Sequence, residues 1–427
     1  MREDLLHFIW QYKLANTTLL SSQNEEVHVR LTGTANFGEG PDFFNAQLEV
    51  DGQLWAGNVE IHIKASDWYA HHHETDTNYD NVILHVVWDD DIPVFRKDKS
   101  QIPTVELKHI IPPKLLSAYQ KLMDNSVSSF INCERELADV DTLIWTSWSE
   151  RLYIERLEQK SVLITKLLEN SKNDWEAVLF QMLCKSFGTK VNGPFFLERA
   201  QELDFSVVRK TAVKKHVLES LLFGHFGLLD VRDCQDLYFL NLGREYSYLK
   251  QKFSLNQSIT KPAFYGIRPV NFPTIRISQL SGLYHKHRSL FQTLVEITAK
   301  ETFYDIFQVF ASSYWDNHFT FGKVSRKSKK KVSVNFIDLL LINIVVPLKF
   351  CYAKHLGQDW NEELIQLLRS IRPETNAVVT GFDRIGMKSQ DAMESQSKLQ
   401  LHQHYCSKNR CLQCAVGTHL LNRNTYF

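Results

Sequence analysis

The spacing of apolar residues changes period once along the chain, at Pro112-Pro113. Ahead of the double proline, Leu5, Phe8, Ile9 and Tyr12 recur at helical spacing and predict a helix over 3–14. Short alternating runs then predict strands over 27–33, 45–50, 54–64 and 81–88, with a short helix over 66–80 and edge strands near 94–96 and 104–108. Asp51-Gly52, between two alternating runs, is a hairpin signal that makes the second and third strands antiparallel neighbours. The run Asn81 to Trp88 is almost wholly apolar, as a strand covered on both faces must be. Beyond the prolines, Ile144, Trp148 and Leu152, then Trp175, Leu179 and Leu183, repeat at four-residue spacing and predict core helix faces. The expected class is therefore α+β: a mixed-sheet domain over 1–112, then a larger, mainly α-helical domain over 113–427 that ends in a cysteine cluster. No repeat of fixed length points to a regular solenoid.

Composition narrows the setting. Lysine plus arginine and aspartate plus glutamate both number 49, so an anionic partner has to be met by a local patch. The first residues enter an amphipathic pattern and not a basic-then-apolar leader, and the apolar stretch Ile337 to Tyr352 is broken by Asp338, Asn343, Pro347 and Lys349. It reads as a buried core helix, so no membrane is expected. Cys133, Cys184, Cys234 and Cys351 lie in apolar surroundings where cysteine acts as a small hydrophobe. A reducing, cytoplasmic location follows as the expectation.

The densest polar information lies between 38 and 85. Side chains alternate across a strand, so Glu60, His62 and Lys64 share one face while Val59, Ile61 and Ile63 share the other. Asp42 stands where the second strand begins, and the hairpin can bring it to Glu60. Two converging carboxylates make a hard-oxygen site for Mg or Mn, with His62 or Lys64 beside it to assist a water molecule. The alternative is an ordinary pairing of Glu60 with Lys64 on a solvated face.

Pro41-Asp42 before one strand and Glu60-Ile61-His62 on the next, within the order helix, three strands, helix, strand, resemble the PD-(D/E)XK nuclease-like superfamily. That resemblance implies a restriction-endonuclease-like αβββαβ core, with Asp42, Glu60, His62 and Lys64 as catalytic residues. His62 stands where that superfamily has lysine, and Lys64 lies one same-face step further.

Further ligand types cluster nearby. His71, His72, His73, Asp76 and Asp80 populate the short helix, and His85 interrupts the apolar strand, so a transition-metal centre with His62 is a second reading, with His73 and Asp76 as its auxiliary pair. Near the C-terminus Cys406-x4-Cys411-x2-Cys414 offers three thiolates, with His404, His402 or His419 as a fourth ligand for Zn; the alternatives are reduced, unligated thiols and, after them, an iron–sulfur cluster. A basic loop holding Lys327, Lys329, Lys330 and Lys331 is either a solvated loop or a contact to nucleic-acid phosphates. Arg268 and Arg276, around a proline-set loop, either clamp an anion or pair with carboxylates.

Gly-Pro-Asp-Phe-Phe-Asn-Ala-Gln (40–47), Gly-Asn-Val-Glu-Ile-His (57–62), Tyr-Asp-Asn-Val-Ile-Leu-His-Val-Val (79–87), Arg-Pro-Val-Asn-Phe-Pro (268–273) and Cys-Leu-Gln-Cys (411–414) together look like one uncharacterised bacterial family, a domain of unknown function. The expectation is a divalent-metal-dependent phosphodiesterase acting on nucleic acid. The alternative is a non-catalytic nucleic-acid or protein-binding adaptor with a degenerate nuclease core.

Overall fold

The computed structural model describes residues 2–15, 18–36, 38–123, 130–231, 234–256 and 260–423. Two compact units result, one made of Met1–Trp148 with Leu401–Phe427, the other of Ser149–Gln400. The stretch from Pro113 to Trp148 and the cysteine-bearing tail thus fall in the sheet's unit, whereas the sequence reading drew the division at 112.

In the first unit, helix α1 (Glu3–Gln11) precedes strands β1 (Thr18–Leu20), β2 (Glu26–Leu31), β3 (Thr34–Ala35), β4 (Phe43–Val50) and β5 (Gln53–Lys64). Helix α2 (Asp67–Ala70), strands β6 (Val82–Asp89) and β7 (Thr104–Glu106) and helix α3 (Pro113–Met123) follow. The strands form one mixed sheet in the order β1-β2-β4-β5-β6-β7, with β3 paired to β4. Strands β2, β4 and β5 run antiparallel, and β6 and β7 lie parallel to β5. The predicted hairpin is present: Val50 pairs Gln53, and Asp51 and Gly52 both have positive φ, as a tight primed turn requires. The expected edge strand at 94–96 is reduced to one bridge, Phe95 to Gln101.

Alternation along β5 and β6 sorts the two faces of the sheet. Val59, Ile61, Leu84 and Val86 pack with Leu5, Leu6 and Ile9 of α1, with Leu115 and Tyr119 of α3, and with Leu412 and Leu421 of the tail. On the opposite face, Val82 and Val87 pack with Trp68 and Tyr79. Glu60, His62 and His85 share that second face and are buried. Burying such groups costs several kcal/mol each unless partners compensate, so their surroundings matter.

The second unit is built of helices around an aromatic-rich core. Its most apolar helix runs Val334–His355, longer than the sequence reading allowed; by length and composition it could cross a membrane, but 78% of its most apolar window is buried inside the protein. Its charges are met internally: Lys349 Nζ donates to Glu363 Oε1 at 2.8 Å and to the Ile297 carbonyl at 2.7 Å, and the Tyr304 hydroxyl donates to Asp338. A π-turn over Leu341–Val345 precedes Pro347, whose missing N–H breaks the regular hydrogen-bond ladder.

Candidate metal centre

A bulge aims Asp42. Between Phe43 and Ala46 the pairing of β4 with β5 slips by one residue, and Asn45 adopts the left-handed conformation, φ 58°. Such a slip bends the strand and redirects neighbouring side chains. Asp42 Oδ2 accepts the Ile61 N–H at 2.9 Å, and the Asp42 N–H donates to Glu60 Oε2 at 3.1 Å. The two acids are thereby locked side by side. His7 of α1 brings Nε2 to 3.3 Å from Asp42 Oδ2, and the Asp42 side chain keeps 22% of its surface open to solvent.

The other oxygen of Glu60 meets imidazoles. Glu60 Oε1 lies 3.4 Å from His73 Nε2 and 3.5 Å from His62 Nε2. His62 Nε2 is 3.2 Å from His71 Nδ1. One nitrogen from each of His62, His71 and His73 lies within 4.8 Å of the others. Neighbouring ligands about 2.0–2.1 Å from a tetrahedral ion stand about 3.3 Å apart, the spacing of the Glu60–His73, Glu60–His62 and His62–His71 contacts.

The local sequence explains the convergence. Ser66 and Asp67 begin a single helical turn, and His72, with φ 61°, ends it, so His71 and His73 turn back over the sheet. Helix α2 is therefore far shorter than the expected 66–80. His73 and Asp76 do not share a helical face: Asp76 caps a separate turn by accepting the Asn78 N–H at 2.9 Å. Behind the cluster, His85, paired opposite Glu60 in the parallel register, shares a hydrogen bond of 2.8 Å between its Nε2 and His62 Nδ1. That bond fixes the His62 ring so that Nε2 faces Glu60. Tyr79 stacks on His73 with centroids 3.8 Å apart, and Trp68 packs edge-on against His73.

Burial makes His62, His73 and His85 poor bases beside a carboxyl that resists ionisation. Desolvation, then His73 and His71, push His62 down to about 3, and complete burial pushes His85 well below its usual range. His73 is lowered by burial against the pull of Asp76 and Asp42. Glu60 is raised well above the carboxylate range, by burial first and the Asp42 charge second. His7 goes the other way: the hydrogen bond and charge of Asp42 outweigh burial and raise it. Three imidazole nitrogens thus gather beside the Glu60 carboxyl, while His7 faces the neighbouring Asp42. The donor set of three imidazoles and a carboxylate fits Zn, Mn or Fe better than Mg, which prefers oxygen.

Other expected residues lie elsewhere. Lys64 is exposed at the end of β5, about 13 Å along the strand from Glu60 at roughly 3.3 Å per residue, and its charge acts on Asp91. The pairing of Glu60 with Lys64 is replaced by the contacts to histidine. Lys330 is buried: its Nζ donates to Ser328 Oγ at 2.7 Å and to the Ser328 carbonyl at 3.0 Å, over the Phe319 ring. Arg276 is likewise buried, bonded to Asn271 and Gln279 and stacked 3.7 Å above Phe336. Neither can reach a nucleic acid, because each is already consumed in holding its own unit together. Lys329 pairs with Asp316 at 2.7 Å, while Lys327, Lys331 and Arg268 are exposed. His404 ends the helix Ala392–His404 and does not line the small cavity bounded by Cys406, Cys411 and Cys414. His7 was missed by sequence reading, since a histidine on an amphipathic helix gives no sign of what it faces.

The first unit is thus a mixed-sheet fold carrying a buried carboxylate–histidine cluster. Residues 3–377 match the family described as "Protein of unknown function (DUF2851)", and the chain belongs to that family. No curated protein and no solved structure matches the chain.

Proposed function

We propose that the protein is a metal-dependent phosphodiesterase of the PD-(D/E)XK nuclease-like kind, acting on nucleic acid, with its ion held by Glu60, His62, His71 and His73. The observation that carries this reading is the convergence of Glu60 Oε1 with His62 Nε2 and His73 Nε2 at 3.4–3.5 Å, beside Asp42. The strand order supports the nuclease-like part: an antiparallel trio followed by a helix and a strand parallel to the third, with Asp42 before the second of that trio and Glu60 on its third.

A bound divalent ion would act as Lewis acid and lower the pKa of a coordinated water. The chain's own residues do the rest. Asp42, on the open rim, can orient a water through its carboxylate, and the Ile61 N–H keeps that carboxylate in place. His7, on the same rim, holds its proton more tightly than a free imidazole because of Asp42 and would be the group placed to offer one to a leaving oxygen. His85 positions His62 and touches no substrate. The donor set shifts the expected ion from Mg toward Mn or Zn.

The test is cleavage of single- and double-stranded DNA, RNA and bis(p-nitrophenyl) phosphate with Mn, Zn or Mg supplied separately. The reading expects cleavage that needs an added or retained ion and disappears in Glu60→Ala while far-UV circular dichroism is kept. Cleavage unchanged in Glu60→Ala would remove it.

A further inference from the structure

Cys133 was expected to be a core cysteine, yet it faces the three cysteines of the tail. Among the described residues Cys133, Cys406, Cys411 and Cys414 line one small cavity of about 20 Å³, together with Leu122, Asn132, Tyr405 and Gly417. All four thiols are free. Two polar contacts hold the segments together although Asn132 and Cys411 are 279 positions apart in sequence: Asn132 Nδ2 donates to Asn409 Oδ1 at 3.1 Å and to Cys411 Sγ at 3.5 Å. The tail is tightly built here, since a Cβ on Gly417 would fall 2.1 Å from the Cys411 carbonyl oxygen. The backbone N–H groups of Gly417 and Val416 point at the Cys414 sulfur.

We propose that Cys133, Cys406, Cys411 and Cys414 form a four-thiolate metal centre, taking zinc or an iron–sulfur cluster, that staples the segment after α3 to the C-terminal helix Ala415–Arg423. Sulfur-only ligand sets select these two groups over harder cations. Four unligated thiols around a void would forfeit packing contacts on the side that faces it. A cation would take the four sulfurs as shared ligands in place of the thiol protons. His404 is not needed as a ligand. The centre is distinct from the histidine cluster and stands whether or not that cluster is catalytic.

The experiment uses the full chain, free of any histidine tag, purified reduced and without oxygen, in a His62→Ala/His73→Ala background that removes the other candidate site. Elemental analysis and visible absorption identify the metal, and titration with a mercurial follows its release. The expected result is about one zinc, or one cluster with charge-transfer absorption, per chain, released as four thiols react. Cys133→Ser should lose it as completely as Cys414→Ser, while Cys351→Ser, a core cysteine of the other unit, should retain it. Sulfur-only coordination by X-ray absorption in the parent protein supports the centre even if Cys133→Ser fails to fold. A metal-free parent protein, full retention in Cys133→Ser, or a nitrogen ligand in the absorption spectrum would overturn the proposal.

Discussion

Replacing Glu60 with glutamine isolates the electrostatic strain at the heart of the site. The Glu60 carboxyl is raised from 4.5 by burial and by Asp42, so without a cation the folded protein keeps a proton there that the unfolded chain gives up. A carboxyl raised on folding contributes stability that is full below 4.5 and lost as pH climbs toward the folded value. Each pH unit in that window costs about 1.4 kcal/mol, so the interval from 4.5 to pH 7 amounts to roughly 3 kcal/mol. Glutamine cannot ionise and can still accept the Asp42 N–H that Glu60 Oε2 now accepts. Metal-free Glu60→Gln should therefore match the wild type near pH 4.5 to within a pH-independent offset and gain about 3 kcal/mol on it by pH 7. The lowered pKa values of His62 and His85 act below 6.5 and are common to both proteins, so they cancel in the difference.

The assay is urea unfolding of both metal-free proteins at several pH values, followed by a probe in the first unit and compared at constant slope. Mn at 1,000 times its Kd should then reverse the order, because it stabilises the wild type by about 4.1 kcal/mol. A difference that stays flat from pH 4.5 to 8, or a Glu60→Gln protein that loses ground as pH rises, would refute the argument that the carboxyl is buried beside another acid without a cation.

Other expectations follow from the same geometry. Binding of Mn at pH 7 should release about one proton, from Glu60, because the lowered His62 and His73 have none to give; calorimetry in buffers of different ionisation enthalpy measures this, and no release would contradict it. Gly57→Ala should destabilise the first unit by about 1–3 kcal/mol, since the new methyl would fall 2.4 Å from Ile83 Cγ2 and 2.7 Å from the Asn81 carbonyl; an unchanged thermal midpoint would count against the β5–β6 register. Lys330→Ala should cost about 1–3 kcal/mol in the second unit, by leaving the Ser328 acceptors unmet, while exposed Lys327→Ala should change stability by less than about 0.5 kcal/mol. Equal effects would mean that Lys330 is not buried.

The strands of the first unit were legible because alternation and turn chemistry agree there: Asp51-Gly52 fixes one hairpin and the all-apolar β6 needs cover on both faces. The short elements β1 and β3 were not, since three and two residues are too few to show a period. Asp42 and Glu60 could be paired from strand order. The role of His71 and His73 could not, because it depends on a left-handed His72 that converts a helix-like stretch into a turn. Lys330 looked like surface charge for a related reason: composition shows a basic loop but not which of its side chains fold inward to bond carbonyls and rings. The position of Cys133 is a long-range fact with no local signature, as it rests on the docking of Asn132 against the tail.

Pulsed electron paramagnetic resonance of Mn-loaded protein tests the central claim most directly, because it reports which atoms touch the ion. Coupling to imidazole nitrogens that falls away in His62→Ala and His73→Ala, with tight binding lost in Glu60→Ala, is the result expected of an ion seated between Glu60 and the three histidines. A spectrum showing oxygen ligands alone, unchanged in all three variants, would place any ion elsewhere and contradict the account.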